Sequence, residues 1–561
     1  VPAPDPITLS THRGVRVAGG RRGVSHTQLA GRARVWVRSR ARAPHLSAYA
    51  WGAVGATSAF VALTCWWLTQ DRSIPIYDAG DHLRFAYEYH NMLAAGNLLG
   101  PFTQPTIYPI LGGIVGALAM FVGGVNVAAP VIGENLVFVP LLVLGCYQTG
   151  RLLFGRLAGC LAAVFALGSP LIISLFHVSM LDAPLTALVS VSVWLILASE
   201  DFSRPGVAAL AGLAVGLGFN TKSAFPLYIA GLVLIVLIHG GWRNWRGFAG
   251  FCAVAVVIGA PWYIEHFSGL GASLAIGGES SPTTPGNTPS TLSSTNLFWY
   301  FWSVLNSQLL APLFALVAGG ALWLSVRVAR ERAREATRLE FLGGAFTAWL
   351  AVTLAPHHDV RYGLPLLAYL AVIGTGWIAY LPRAGRLAAI GLLACAVAAN
   401  TAGITFGAGS EVKLTLAHVL PGDEQRPASL IVYSNSGFLA SAPARDGDVP
   451  GLLGALYRDG VRSVAWSIEQ SRLPDFSLEG LMPLIEIAKL TPAPTHTLEF
   501  SESGTEATLI HEPVSAHAPA TCTRLSDGTG IWVVRYDVAA SMLAFYCPTH
   551  RPRYYDLGTA G

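Results

Sequence analysis

Charge is what this 561-residue chain has least of: 12% of its residues are charged against 53% hydrophobic, which is too apolar for a conventional soluble protein of this length. The net charge of +4 is small, and lysine is nearly absent from the short polar stretches between apolar runs, where arginine stands instead. That excludes a nucleic-acid binder and leaves orientation signals of a membrane protein as the reading. Cysteine is scarce as well. Five of the seven (Cys65, Cys146, Cys160, Cys252, Cys395) sit inside apolar runs, where the thiol is a small hydrophobe, and only Cys522 and Cys547 flank a later strand in a position to pair in an oxidising compartment. No nucleotide-binding or soluble-transferase motif is present, no cofactor is called for, and adjacent histidines alone do not make a metal site.

What the chain does have is a succession of apolar runs about 18 to 23 residues long, the length that crosses a bilayer as a helix. Residues 1–46 carry nine arginines and one acid with little periodicity, and read as a basic, disordered cytoplasmic tail. The first run, 47–69, is too long for a signal-peptide core and lacks a small-residue cleavage site, so it is expected to be a retained helix with its far end outside. The next, 106–125, decides the topology. If it spans, Arg151 and Arg156 fall outside with Arg243, Arg246 and the 327–338 cluster; if it lies on or dips into the outer surface, all the Arg-bearing connections fall inside. The positive-inside rule favours the second arrangement, and Pro101, Pro105, Pro109 and a run of glycines agree with it. Spans are then expected at 131–150, 157–177, 183–199, 206–219, 224–240, 247–264, 297–325, 339–355, 362–381 and 387–407, about eleven in all.

The apolar-poor 265–296 stretch fits a lid or a linker. After residue 408 the character becomes that of a soluble domain, with strands expected at 430–433, 461–466 and 531–536 and a short helix at 451–458. The fold class is therefore a multi-pass α-helical membrane protein with outer juxtamembrane helices and a small C-terminal α/β or α+β domain, divided as 1–46, 47–407 and 408–561 and located in the plasma membrane.

This topology delivers the unusual ionisable residues to one side. Asp78, Asp81, His82, Arg84, Asp182, Lys222, Glu265, His266, His357, His358, Asp359 and Arg361 all lie near an outer helix end, where charge is costly to hold and marks a functional surface. Structural readings stand beside the functional ones. Asp78 fits an N-cap with Asp81 at N3, Asp182 a cap for a helix beginning at Ala183, Lys222 a snorkelling interface residue, and His82 and Arg84 solvated or headgroup contacts. The chemistry that uses the whole set is transfer from a lipid-linked phosphate donor: a carboxylate takes the proton of an acceptor hydroxyl while Lys and Arg hold the departing phosphate.

The order of motifs resembles the GT-C glycosyltransferases of the protein O-mannosyltransferase and lipid A aminoarabinose transferase superfamily. In chain order these are Tyr77-Asp78-Ala79-Gly80-Asp81-His82, Ile107-Tyr108-Pro109, Leu153-Phe154-Gly155-Arg156-Leu157-Ala158-Gly159, Met180-Leu181-Asp182-Ala183-Pro184-Leu185, the segment from Gly216 to Lys222, Ala260-Pro261-Trp262-Tyr263 and Arg361-Tyr362-Gly363-Leu364-Pro365. The resemblance, covering about 50–400, implies a hexosyl- or pentosyltransferase that uses a polyprenyl-phosphate sugar and inverts the anomeric carbon. It implies a base in the first outer loop, Asp78 before Asp81, with Asp182 at the active site and Lys222 and Arg361 facing the lipid phosphate. His82, Arg84, Tyr108, Glu265, His266, His358 and Tyr362 complete the expected substrate-binding set. The partners implied are the donor, a protein, lipid or glycan acceptor outside the cytoplasm, and membrane lipids. The family's usual Asp-Glu pair is here Asp78-Ala79, with the second acid moved to Asp81. A different class, a secondary transporter with an extracytoplasmic accessory domain, fits the span count but places its ionisable groups near the membrane midplane rather than at helix ends.

Overall fold

The computed structural model describes residues 47–71, 78–106, 108–267, 292–331, 336–355 and 359–408, together with seven strands between 412 and 556. The basic tail, most of the 265–296 stretch, the 451–458 segment, His357, His358, Cys522 and Cys547 lie outside the described residues.

The chain runs through helices α1 (Ala48–Gln70), α2 (Asp78–Ala94), α3 (Gly100–Thr103), α4 (Leu111–Gly123), α5 (Ala128–Phe154), α6 (Arg156–Leu167), α7 (Pro170–Phe176) and α8 (Asp182–Ala198). It continues with α9 (Pro205–Phe219), α10 (Pro226–His239), α11 (Trp245–Glu265), α12 (Ser294–Ser303), α13 (Leu310–Glu331), α14 (Ala336–Leu354), α15 (Leu367–Gly376) and α16 (Arg383–Phe406). Among the described residues six helical segments are long and apolar enough to cross a membrane, seven if the bent pair α6 and α7 counts as one. The protein is a multi-pass helical membrane protein. The helices α8, α9 and α10, expected as spans, have 17, 15 and 14 residues.

Three expected spans are interrupted, each for a local reason. The 157–177 run bends by 61° between α6 and α7. Pro170 forces Ser169 into extended backbone (φ −66°, ψ 125°) and offers no amide to continue the ladder, while Ser169 Oγ donates to the Gln308 carbonyl at 2.7 Å. The 297–325 run contains a π turn, Val304–Leu309, ending at Leu310 with φ 54°, a left-handed conformation rare for a γ-branched residue. The 362–381 run opens and closes in 3₁₀ turns, Val360–Leu366 and Trp377–Tyr380, around α15.

The centre of the bundle is α8, in which 15 of 17 residues are buried. Being apolar all round, it needs neighbours on every side, and α5, α9, α10, α14 and α15 supply them. Glycine sets how close they come: a Cβ on Gly145 of α5 would run into the Ser190 and Val191 backbone of α8. The pair α2 and α4 is built the same way. The glycines that weaken α4 as a free-standing helix are where α2 packs, with Gly113 under the Tyr89 ring and Gly116 against Ala86. Its 13 residues reach about 20 Å, short of a hydrocarbon core of about 30 Å.

Beyond the bundle, β1 (Val412–Thr415) and β2 (Ser429–Tyr433) pair antiparallel. The strands β3 (Ser463–Trp466), β4 (Glu499–Glu502), β5 (Trp532–Asp537), β6 (Met542–Tyr546) and β7 (Arg553–Asp556) form a sheet of order β4-β3-β5-β6-β7. In it β3 runs parallel to β4 and β5, whereas β5, β6 and β7 form an antiparallel meander.

Candidate active site

Helix termini on one end of the bundle carry two ion pairs that join distant stretches of the chain. Asp78 stands at the first residue of α2, and its Oδ2 receives Arg361 Nη1 at 2.7 Å across 283 positions of sequence. Its other oxygen accepts from Tyr108 Oη at 3.2 Å. The carboxylate is therefore spent on side chains from two other segments. Asp182 opens α8 itself, one residue earlier than the capping reading places the helix start, and makes no cap bond; its Oδ1 takes Lys222 Nζ at 2.7 Å instead. Lys222 does not snorkel. Its ammonium sits 4.9 Å from the centroid of the Tyr362 ring, with 16% of its side chain exposed against 2% for Asp182.

Each member is held by its own backbone setting. Arg361 follows Asp359, whose carboxylate accepts the Arg361 amide at 2.8 Å and forks onto the guanidinium, Nη2 at 2.9 Å and Nε at 3.2 Å. Gln308, from the π turn, donates to the Val360 carbonyl at 3.1 Å. Tyr228 Oη donates to the Tyr362 carbonyl at 2.8 Å, and Tyr369 Oη to the Tyr228 carbonyl at 2.9 Å. The turn bearing Lys222 is fixed through Asn220, whose carbonyl accepts the Leu111 amide at 2.8 Å and whose side chain donates to the Ile258 carbonyl at 2.6 Å.

Electrostatics separates the two candidate bases. Burial pushes the Asp78 carboxyl up, but the hydrogen bond and charge of Arg361, with His82 and Lys222 behind it, bring it below the ordinary carboxylate value. Asp81 moves the other way: burial outweighs Arg84, which pairs with it at 3.0 Å and lies 5.0 Å above the Phe85 ring rather than reaching for headgroups. Asp359 is lowered, its burial more than offset by Arg361. His82 is buried and brought down to about 4, chiefly by desolvation, so its imidazole is neutral at pH 7; it meets the Tyr108 ring edge-on at 4.7 Å. Tyr108 is raised by burial and then by Asp78, and stays a hydrogen-bond donor.

Of the expected residues, Asp78, His82, Tyr108, Asp182, Lys222, Arg361 and Tyr362 come together, with the Asp81–Arg84 pair one helical turn along α2. His266 turns elsewhere: its Nε2 lies 2.9 Å from the Gln104 carbonyl and its ring stacks on Trp262 at 4.4 Å. Glu265 is exposed at the end of α11. Asp359, recognised in the polar turn but not chosen for the site, is the missed member. An acid two positions before the arginine, opening a helical turn, is its signal. Among the described residues no group of three or more His, Cys, Asp or Glu side chains is placed to hold a metal ion.

Residues 108–264 match the family model described as dolichyl-phosphate-mannose-protein mannosyltransferase. The resemblance to that superfamily holds. The matched segment takes in Tyr108, Asp182 and Lys222 and leaves Asp78 and Arg361 outside it. No curated protein matches the chain by sequence. Among solved structures, ArnT from Cupriavidus metallidurans in the apo state is similar at 17% identity and a TM-score of 0.47, over 78% of this chain and 76% of that one. The same protein bound to undecaprenyl phosphate is similar at 17% identity and a TM-score of 0.48, over 79% and 76%.

Proposed function

We propose that this chain is a membrane glycosyltransferase that moves one sugar from a polyprenyl-phosphate donor to an acceptor hydroxyl outside the cytoplasm, with inversion at the anomeric carbon. The observation that carries the proposal is the pairing of Asp78 with Arg361 and of Asp182 with Lys222 at neighbouring helix ends. Together they set two cations that suit a phosphodiester beside carboxylates that suit a proton. The family match over 108–264 supports the same reading.

In the reaction, the acceptor oxygen forms a bond to the anomeric carbon as the bond from that carbon to the phosphate oxygen breaks. The acceptor proton goes to a carboxylate, and the departing electron pair rests on the phosphate, which Lys222 and Arg361 stabilise. Arg361 is held by Asp359 through Nε and Nη2 and by Asp78 through Nη1, so the donor phosphate takes over Nη1 from Asp78. That exchange leaves Asp78, still oriented by Tyr108, free to act as base. Asp81 is the alternative, favoured by its raised proton affinity. The Arg-bearing connections face the cytoplasm, with eleven spans from α1 to α16 when the bent pair α6 and α7, the short α8, α9 and α10, and α14 cross as well. The strands after 408 belong to an extracytoplasmic soluble domain of 408–561.

Purified protein given radiolabelled polyprenyl-phosphate mannose or aminoarabinose and a membrane extract as acceptor tests the proposal. Release of polyprenyl phosphate with label in an acceptor is the expected result. An intact donor under every acceptor condition overturns it.

A further inference from the structure

One buried acid takes no part in this chemistry. Glu134 lies in the second turn of α5, within an apolar membrane-crossing segment, with 3% of its surface exposed. An ionisable side chain at such a place is expensive and calls for a specific partner. That partner is Ser179, whose Oγ donates to Glu134 Oε1 at 2.7 Å.

Ser179 belongs to the turn between α7 and α8, three residues before Asp182. The same turn is held at a second point by the neighbouring Asn135, whose Nδ2 donates to the Phe176 carbonyl at 2.8 Å. In the same turn His177 stacks on Trp67 of α1 at 4.4 Å, with the ring planes nearly parallel at 7°. The turn ends by handing Asp182 to Lys222. We propose that Glu134 is a positioning residue: through Ser179 it fixes the turn that presents Asp182 and thereby sets where the Lys222 ammonium stands. What the site requires of Glu134 is a buried acceptor oxygen, not a negative charge, because its partner is a neutral hydroxyl.

The inference rests on the proposed donor chemistry for its kinetic readout. Glu134→Leu removes the acceptor and leaves the Ser179 hydroxyl buried without it, so the donor KM rises about tenfold, the scale of one lost buried hydrogen bond. Ser179→Ala raises it about threefold, and Glu134→Gln, which keeps an oxygen there, stays within about twofold of the parent. Backbone hydrogen exchange measured on the full chain in detergent gives a second readout independent of turnover. It speeds up across 177–182 in the Leu variant and returns to parental rates in the Gln variant. A Gln variant as impaired as the Leu variant overturns the proposal, and so does an unchanged donor KM in Glu134→Leu alongside a lowered kcat. A parent chain that consumes no donor overturns the function instead, and leaves the exchange measurement to decide the positioning role.

Discussion

The two ends of the bundle hold their cations differently. At the end bearing Asp78 and Asp182, acids and bases from separate segments pair directly, and the pairs are half-buried or buried. At the other end arginines lie on aromatic faces: Arg327 sits 5.3 Å from Trp323 and 4.8 Å from Tyr380, Arg338 4.8 Å from Phe154, Arg243 5.2 Å from Trp242 and Arg246 5.6 Å from Trp245. Arg338 also donates to the Leu153 carbonyl at 2.6 Å. Two carboxylate pairs do occur there among the described residues, Glu340 with His239 at 2.9 Å and Glu200 with Arg204 at 2.6 Å, but the histidine is 42% exposed and both side chains of the second pair are more than half exposed. Cations on rings beside the apolar phase serve as anchors, each worth about 0.5–1 kcal/mol. Buried cations opposite carboxylates are dear to build and destabilising to break, the pattern of a site rather than a border.

Removing one partner at the paired end is the most damaging change. Asp78→Asn or Arg361→Ala lowers turnover about 10³-fold or more in a donor-consumption assay, because in the proposed reaction each takes away a group acting on the reacting atoms. An Asp78→Asn chain with parental turnover moves the base to Asp81, and Asp81→Asn is then the variant that loses activity. Lys222→Ala strands the Asp182 carboxylate, of which 2% is exposed. Unfolding in detergent shows a loss of about 3–5 kcal/mol, and Lys222→Ala with Asp182→Leu recovers part of it.

Acid sharpens the contrast. Asp78 and Asp359 have carboxyls lowered in the fold, so the stability they lend is complete above their unfolded values near 4 and is lost as pH falls through their lowered folded values. Asp81 is raised and has the opposite sign, its ionisation disfavouring the fold as pH climbs past the unfolded value. A melting-temperature series below pH 4 therefore drops for the parent, and drops less for Arg361→Gln, where the two lowered carboxyls have lost their partner. The smallest effect belongs to the other end. Arg243→Gln with Arg246→Gln leaves turnover within about twofold and shifts stability by about 1 kcal/mol or less.

Much of this arrangement is legible in the chain. Counting loop arginines places Asp78, Asp182, Lys222 and Arg361 on one side of the membrane, and the fold does bring the four together. Charge position does not reveal which acid meets which base: the Asp78–Arg361 pair joins residues 283 apart, and the Asp182–Lys222 pair residues 40 apart. Such pairing depends on where α8 sits, and that is a property of packing around small residues rather than of local pattern. Breaks within runs are not anticipated, since 157–177, 297–325 and 362–381 are each expected as one span. Pro170 announces the bend after Gly168, whereas the π turn before Leu310 has no composition to betray it. Glu134 does not stand out in the sequence, and its place becomes readable only with Ser179 beside it.

The brevity of α9 and α10 bears on the lipid around them. At 15 and 14 residues they reach about 21 to 23 Å, against a hydrocarbon thickness of about 30 Å. Both show leucines on their outer faces, Leu210 and Leu213 on one and Leu227 and Leu234 on the other. On the proposed topology, in which the pair crosses the bilayer, acyl chains beside it meet a hydrophobic mismatch, relieved by local thinning of the leaflet. The turn joining the two helices carries Lys222, so the headgroup plane dips where that ammonium waits. In the proposed reaction, a donor phosphate on a long isoprenoid tail comes level with it while the tail stays in oil.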